Sequence, residues 1–133
     1  MALVVPDVGE VALLDIMLST ATPEAQTLKL YTNNFDIVEG STAGSLTEAS
    51  GSGYAAKSLA RATWNAASTN AGTSSKTYPA QAFAFTGAIT IVGYFVVGAT
   101  SGTLLWGERI YAGAGQAFGN GDSLTVTPRI ELA

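Results

Sequence analysis

Apolar residues are densest between Ala88 and Tyr111, where two runs rich in β-branched and aromatic side chains flank Gly98-Ala99-Thr100-Ser101-Gly102. That is the pattern of a β-hairpin with a short glycine-containing loop. The first run, Ile89 to Val97, is apolar on both faces, which predicts a central strand covered on each side. The second run, Thr103 to Tyr111, is more mixed, and Glu108-Arg109 puts one charge on each face near its end. The rest of the chain is expected to pack on this hairpin or to lengthen its sheet, with Phe85, Phe95 and Trp106 in the core.

Before the hairpin, a short apolar arm, Leu3-Val4-Val5-Pro6, leads into Asp7, with Glu10 three residues on. An acid that can cap the first turn, followed by a capping-box acid, predicts a helix over 7–18. Its positions Val8, Val11, Ala12, Leu13, Leu14, Ile16, Met17 and Leu18 are apolar around most of the circumference. One stripe is enough for a helix on a single sheet. The excess predicts either a helix wedged into its own domain or one that also meets a neighbouring subunit. Thr27 to Thr32 alternates strictly and reads as a strand, with Leu28 and Leu30 on one face. Residues 35–52 read as a long connection, with a short strand possible at Ser45 to Ala49. Gly53 to Trp64 reads as a strand that separates Ala56, Ser58, Ala60 and Ala62 from Lys57, Leu59 and Arg61; a helix is the competing reading, since Ala favours helix.

Asn65 to Ser75 is small and polar and reads as a loop. Lys76 to Thr86 reads as a strand with Phe83 and Phe85 inward and Pro79 at its start or on an edge. The glycine-rich stretch from Gly113 to Asp122 is followed by a strand pattern and not by a helix, which argues against a phosphate cradle; Asn120-Gly121 reads as a turn. Leu124 to Leu132 alternates, with Leu124, Val126, Ile130 and Leu132 inward. Pro128 within it predicts an edge strand or a bulge. The elements add up to six or seven strands and one N-terminal helix. The economical fold class is mainly β, an antiparallel β-sandwich of jelly-roll or immunoglobulin-like type, in a single domain over 1–133.

Composition changes this picture chiefly by what it removes. A chain of 133 residues fits one domain. Only 12% of residues are charged and nearly half are apolar, so the chain is not of the disordered type. A surface so poor in charge suits a protein partly covered by partners. There is no Cys and no His. Disulfides, thiolate metal sites, the usual general base and the usual zinc ligand all go with them. The net charge is −4 and the six basic residues are scattered, so the basic stripe that nucleic acid requires is missing. No apolar run approaches the ~20 residues of a membrane span, and no basic leader precedes the first apolar segment.

Candidate chemistry is sparse. A Ser nucleophile lacks a His base, and no Ser-x-x-Lys arrangement involves Lys29, Lys57 or Lys76. Asp36, Glu39 and Glu48 lack calcium-loop spacing. Trp64, Trp106 and the tyrosines could form a sugar-stacking platform, although such residues are more often core or interface anchors. Lys57 and Arg61, on one face of their strand, are either solvated cations or a basic spot for an acidic partner. No cofactor is expected.

Taken together, Leu-Val-Val-Pro-Asp-Val-Gly-Glu-Val-Ala-Leu-Leu-Asp from Leu3, Leu28 to Asn34, Gly53 to Lys57, Val92 to Val97 with Leu104 to Arg109, and Asn120-Gly121-Asp122 before the last strand resemble small virion proteins of tailed phages. The likeness is to the decoration, or cement, proteins of the head. It covers most of the chain and rests on overall pattern, with no short diagnostic motif. The resemblance implies a non-enzymatic β-rich protein on the outer capsid surface of the virion, commonly a homotrimer, with the major capsid protein as partner. It transfers no catalytic residue. The partner-binding candidates are Leu3, Val4, Val5 and Pro6 of the arm, Val11, Leu14 and Met17 of the helix, and Lys57 and Arg61. Two other classes compete: a carbohydrate or host-recognition module of a virion or cell surface, and a small hydrolase without histidine.

Overall fold

A computed structural model of the chain describes residues 3–18, 22–70 and 72–132, with the side chains of Met17 and Leu132 left out of the description. The elements, in order, are helix α1 (Asp7–Leu18), β1 (Gln26–Tyr31), β2 (Lys57–Leu59), β3 (Ser68–Asn70), β4 (Thr73–Thr77), β5 (Gln81–Ala84), β6 (Ile89–Ile91), β7 (Gly93–Gly98), β8 (Leu104–Arg109), β9 (Gln116–Phe118), β10 (Ser123–Val126) and β11 (Arg129–Leu132). Single 3-10 turns occupy Ala43–Ser45 and Arg61–Thr63. The result is a mainly-β structure with one N-terminal helix and several small antiparallel sheets. Their strand orders are β2-β1-β7-β8, β11-β4-β3, β10-β5 and β6-β9.

The hairpin holds the centre. β7 lies between β1 and β8, and all six of its residues are buried. Its turn is closed by the Gly98 amide on the Thr103 carbonyl (3.0 Å), with Gly102 at φ +69° supplying the left-handed step. Burial follows the two-residue period. Leu28, Leu30, Tyr94, Val96 and Trp106 share one core with Phe83, Ile91, Leu124 and Val126 of the small sheets and with Phe85 just after β5. Phe95, Val97 and Leu104 join Ile37 and Leu46 of the 35–46 connection in a second core on the opposite face. A register shift falls between Val96 and Val97: Val96 pairs Trp106 while Val97 pairs Leu104, so Leu105 is the extra residue of a bulge.

The free edge of β8 is covered rather than left open. Val4 exchanges two backbone hydrogen bonds with Gly107, both 3.0 Å. Pro6 is fully buried and takes the capping position, its carbonyl accepting from Gly9 (2.7 Å) and Glu10 (2.9 Å). Asp7 is thus the first helical residue, where an acid complements the helix dipole. α1 then crosses β8 so closely that a Cβ on Gly9 would stand 2.1 Å from the Leu105 carbonyl oxygen. Covering an edge in this way removes a template for aggregation.

Four expectations need correction. The strand over 53–64 shrinks to Lys57–Leu59. It is preceded by a turn with Gly53 at φ +78° and followed by the 3-10 turn that brings Trp64 inward. Its alternation of small and charged residues therefore did not mark an extended run. Asn65 to Ser75 is not a loop: β3 and β4 form a hairpin there despite their polar side chains, because β4 is also held by β11. Ser45 to Ala49 holds no strand beyond a single bridge of Glu48 to Tyr31. The strands number eleven among the described residues, because several predicted runs are cut in two. Val92 separates β6 from β7, and Pro128, fully buried and without an amide hydrogen, separates β10 from β11. Each half then joins a different sheet, so four small sheets stand where two continuous ones were expected.

Candidate functional site

The candidate residues of the arm and helix fall into two groups. Leu3 and Val5 pack on the first core and Val4 on the second, and Pro6 is buried, so the arm lies along its own domain. The helix turns Gly9, Ala12, Leu13 and Ile16 inward. Val11 (59% exposed), Leu14 (53%) and Leu18 (80%) face outward with Val8. At 100° per residue these four fall within roughly a third of the helix circumference, and the exposed Asp7 and Asp15 fall in the same sector, so the outward face is aliphatic with two acids set in it. Met17 lies on the same helix, but its side chain is outside the described residues.

Lys57 and Arg61 do not act as a pair. The Lys57 ammonium lies 5.4 Å from the centroid of the Phe83 ring, a cation–π contact. Arg61, carried by the 3-10 turn, lines a different place: a shallow concavity of about 190 Å³ with Lys76, Gln26, Trp64 and Trp106, closed by Leu13 of α1 and Ile130 of β11. This is where the four-stranded sheet, the three-stranded sheet and the helix meet. Trp106 is buried at 3% exposure, edge-to-face with Trp64 at 5.9 Å between ring centroids. Trp64 also meets Tyr78 edge-on at 5.2 Å and donates its Nε1–H to Gln26 Oε1 (3.1 Å). Trp106 is thus a core residue, while Trp64 is half-buried at the rim of the concavity. Trp106 Nε1 is buried with no acceptor, which costs about 1–3 kcal/mol if left so.

Three other cations lie against carboxylates. Lys29 pairs with Glu48 (2.8 Å), which also accepts from the Tyr54 hydroxyl (3.0 Å). Arg109, buried, reaches Asp36 Oδ1 (2.8 Å), the Tyr111 carbonyl (2.9 Å), Asn34 Oδ1 (2.5 Å) and the Gly113 carbonyl, fastening the glycine-rich segment to the start of the long connection. Arg129 lies 3.8 Å from Glu108 and 3.4 Å from Glu131. Asp36 and Glu48 thus serve different cations, and no cluster of three metal-ligating side chains occurs among the described residues. Burial pushes the Tyr31 phenol up to about 12. It also raises Tyr54 and Tyr94, helped by the carboxylates of Glu48 and Glu108 beside them. These phenols stay protonated and serve as donors.

Sequence reasoning singled out Arg61, Trp64 and Trp106 separately but missed Lys76 and Gln26 as their neighbours. β4 carries only Thr, Ser and Lys, so no hydrophobic period signalled a strand that would bring Lys76 to Arg61. Among the described residues no helix is long and apolar enough to cross a membrane. Compared with models of protein families, with curated proteins and with solved structures, the chain finds no match in any of the three.

Proposed function

We propose that this chain is a structural assembly protein of a phage head: a single β-sandwich domain that self-associates, as a trimer, and binds the outer capsid surface by contact alone. In this reading the four-stranded sheet is one layer and the small sheets opposite it are the second. The observation that carries the proposal is the outward face of α1, where Val8, Val11, Leu14 and Leu18 stand exposed around Asp7 and Asp15. A run of exposed aliphatic side chains on a helix already seated on its own sheet is unfavourable in a monomer and marks a surface made to be covered. A surface low in charge points the same way. The resemblance to head decoration proteins supplies the identity of the partner, the major capsid protein.

Contact alone suffices for such a role. An oligomer bridging neighbouring capsomers makes its second contact at high effective concentration. Binding only the mature lattice stabilises that lattice by mass action. The arm, tied to β8 by Val4, acts in this reading as a clasp on its own domain, and the helix stripe is the assembly surface. The test has two parts. Sedimentation of the purified chain is expected to show an oligomer that Leu14→Asp weakens by at least about tenfold; a monomer at high concentration overturns self-association. Mixed with particles stripped of it, the chain is expected to bind and to raise their resistance to heat; failure in both overturns the capsid reading.

A further inference from the structure

We infer that the concavity between Trp64 and Trp106 is a socket for an acidic side chain, aspartate or glutamate, of a protein partner. The charges make the case. The chain carries four more acidic than basic groups. Lys29, Arg109 and Arg129 lie against carboxylates, and Lys57 lies over an aromatic ring. The remaining two, Arg61 and Lys76, have no ion pair among the described residues, and both line this one concavity. No acid lines it. The one carbonyl oxygen of the Gln26 amide already accepts from Trp64. The Gln26 Nε2 donates to the Glu24 carbonyl (2.9 Å), so the polar groups left to bind are the two cations, and a carboxylate, which only accepts, fits them.

Size and position choose the source. At about 190 Å³ the concavity is below the roughly 300–1,000 Å³ of small-molecule pockets, and suits one side chain. Helix α1 lines it with Leu13 and turns Val11 and Leu14 away on its other side. A protein seated on that helix therefore has an apolar surface and a basic socket within one helix diameter, about 10–12 Å. This last point rests on the assembly reading; the socket's chemistry does not.

The two tryptophans are the only ones in the chain, so their indole N–H signals in a ¹H–¹⁵N spectrum report on the site directly. The probe is a capped peptide of alanines with a central glutamate, titrated at low ionic strength beside its glutamine counterpart and sodium acetate. The expected result is a saturable shift of the Trp106 indole signal with the glutamate peptide only, weakened by salt. The variant Arg61→Gln/Lys76→Gln, changed at two exposed positions, should bind at least about tenfold more weakly. No saturable shift, an equal response to the glutamine peptide, or undiminished binding by the double variant overturns the socket. An equal response to acetate overturns the protein source. The peptide titration reads the socket on the isolated chain and sedimentation of the unaltered chain reads self-association, so a failed socket and a failed assembly are told apart.

Discussion

Strand β7 is apolar on both faces and helix α1 around most of its circumference, yet they end in opposite situations. β7 has every residue buried: Tyr94 and Val96 face the small sheets, and Phe95 and Val97 face the 35–46 connection. α1 buries one side on β8 and leaves Val8, Val11, Leu14 and Leu18 in the open. More apolar surface than one neighbour can cover predicts burial on two sides in both cases. For β7 the chain supplies the second cover itself. For α1 it supplies none among the described residues, and that difference directs attention to a partner.

The contrast can be broken or sharpened at four points. The largest effect is expected at Trp106, paired with Val96 and buried. Trp106→Ala should cost about 3–5 kcal/mol in chemical denaturation; an unmoved midpoint would show that the hairpin does not carry the core. Next comes the arm. Deleting residues 2–6 removes the two Val4–Gly107 hydrogen bonds and the burial of Pro6. Set against the entropy of ordering the arm, the net loss should be on the order of 2 kcal/mol. If the truncated chain unfolds like the full one yet no longer binds stripped particles, the arm is a tether and not a clasp.

A smaller effect is expected at the hairpin turn. Glu24 accepts from the Ser101 hydroxyl (2.6 Å) and from the amides of Thr100 (2.5 Å) and Ser101 (3.0 Å). The Ser101 hydroxyl does most to hold its carboxyl below the ordinary value of 4.5, with burial opposing and the amides adding. A depressed folded value means that the stabilisation is present above 4.5 and is lost as pH falls through the folded value. Acid should therefore destabilise the wild type by under about 1 kcal/mol through this group, since the carboxylate is largely solvated. Glu24→Gln should remove that part of the pH dependence; an identical acid limb in both proteins would contradict it. The smallest effect on stability is expected at Leu14: Leu14→Asp should change it by no more than about 0.5 kcal/mol while weakening self-association. A large loss of stability in a protein that sediments as a monomer would mean that the helix is wedged into its own domain after all.

Much of this was legible residue by residue. Periodicity located α1 with its limits, β1, the central hairpin and the inward Leu124 and Val126, because each buries one regular face or two. It failed where order comes from backbone pairing instead of side chains. The β3–β4 hairpin is written in Ser, Thr, Asn and Lys and exists because β11 offers β4 a partner. The Gly53 to Trp64 stretch carried a period of two that its turns do not obey.

Taken alone, the chain's residues determined a mainly-β structure, an N-terminal helix with more apolar surface than one sheet uses, and a chemistry without His or Cys, since these depend on local pattern and composition. Only the tertiary structure decided that Pro128 and Val92 divert their strands into different sheets, that the arm clasps β8, and that Lys76 stands with Arg61 beside two indoles. The reason is physical. Which unpaired strand edge meets which, and which cations are left without acids, depend on contacts between residues far apart in the chain, and no local period carries that information.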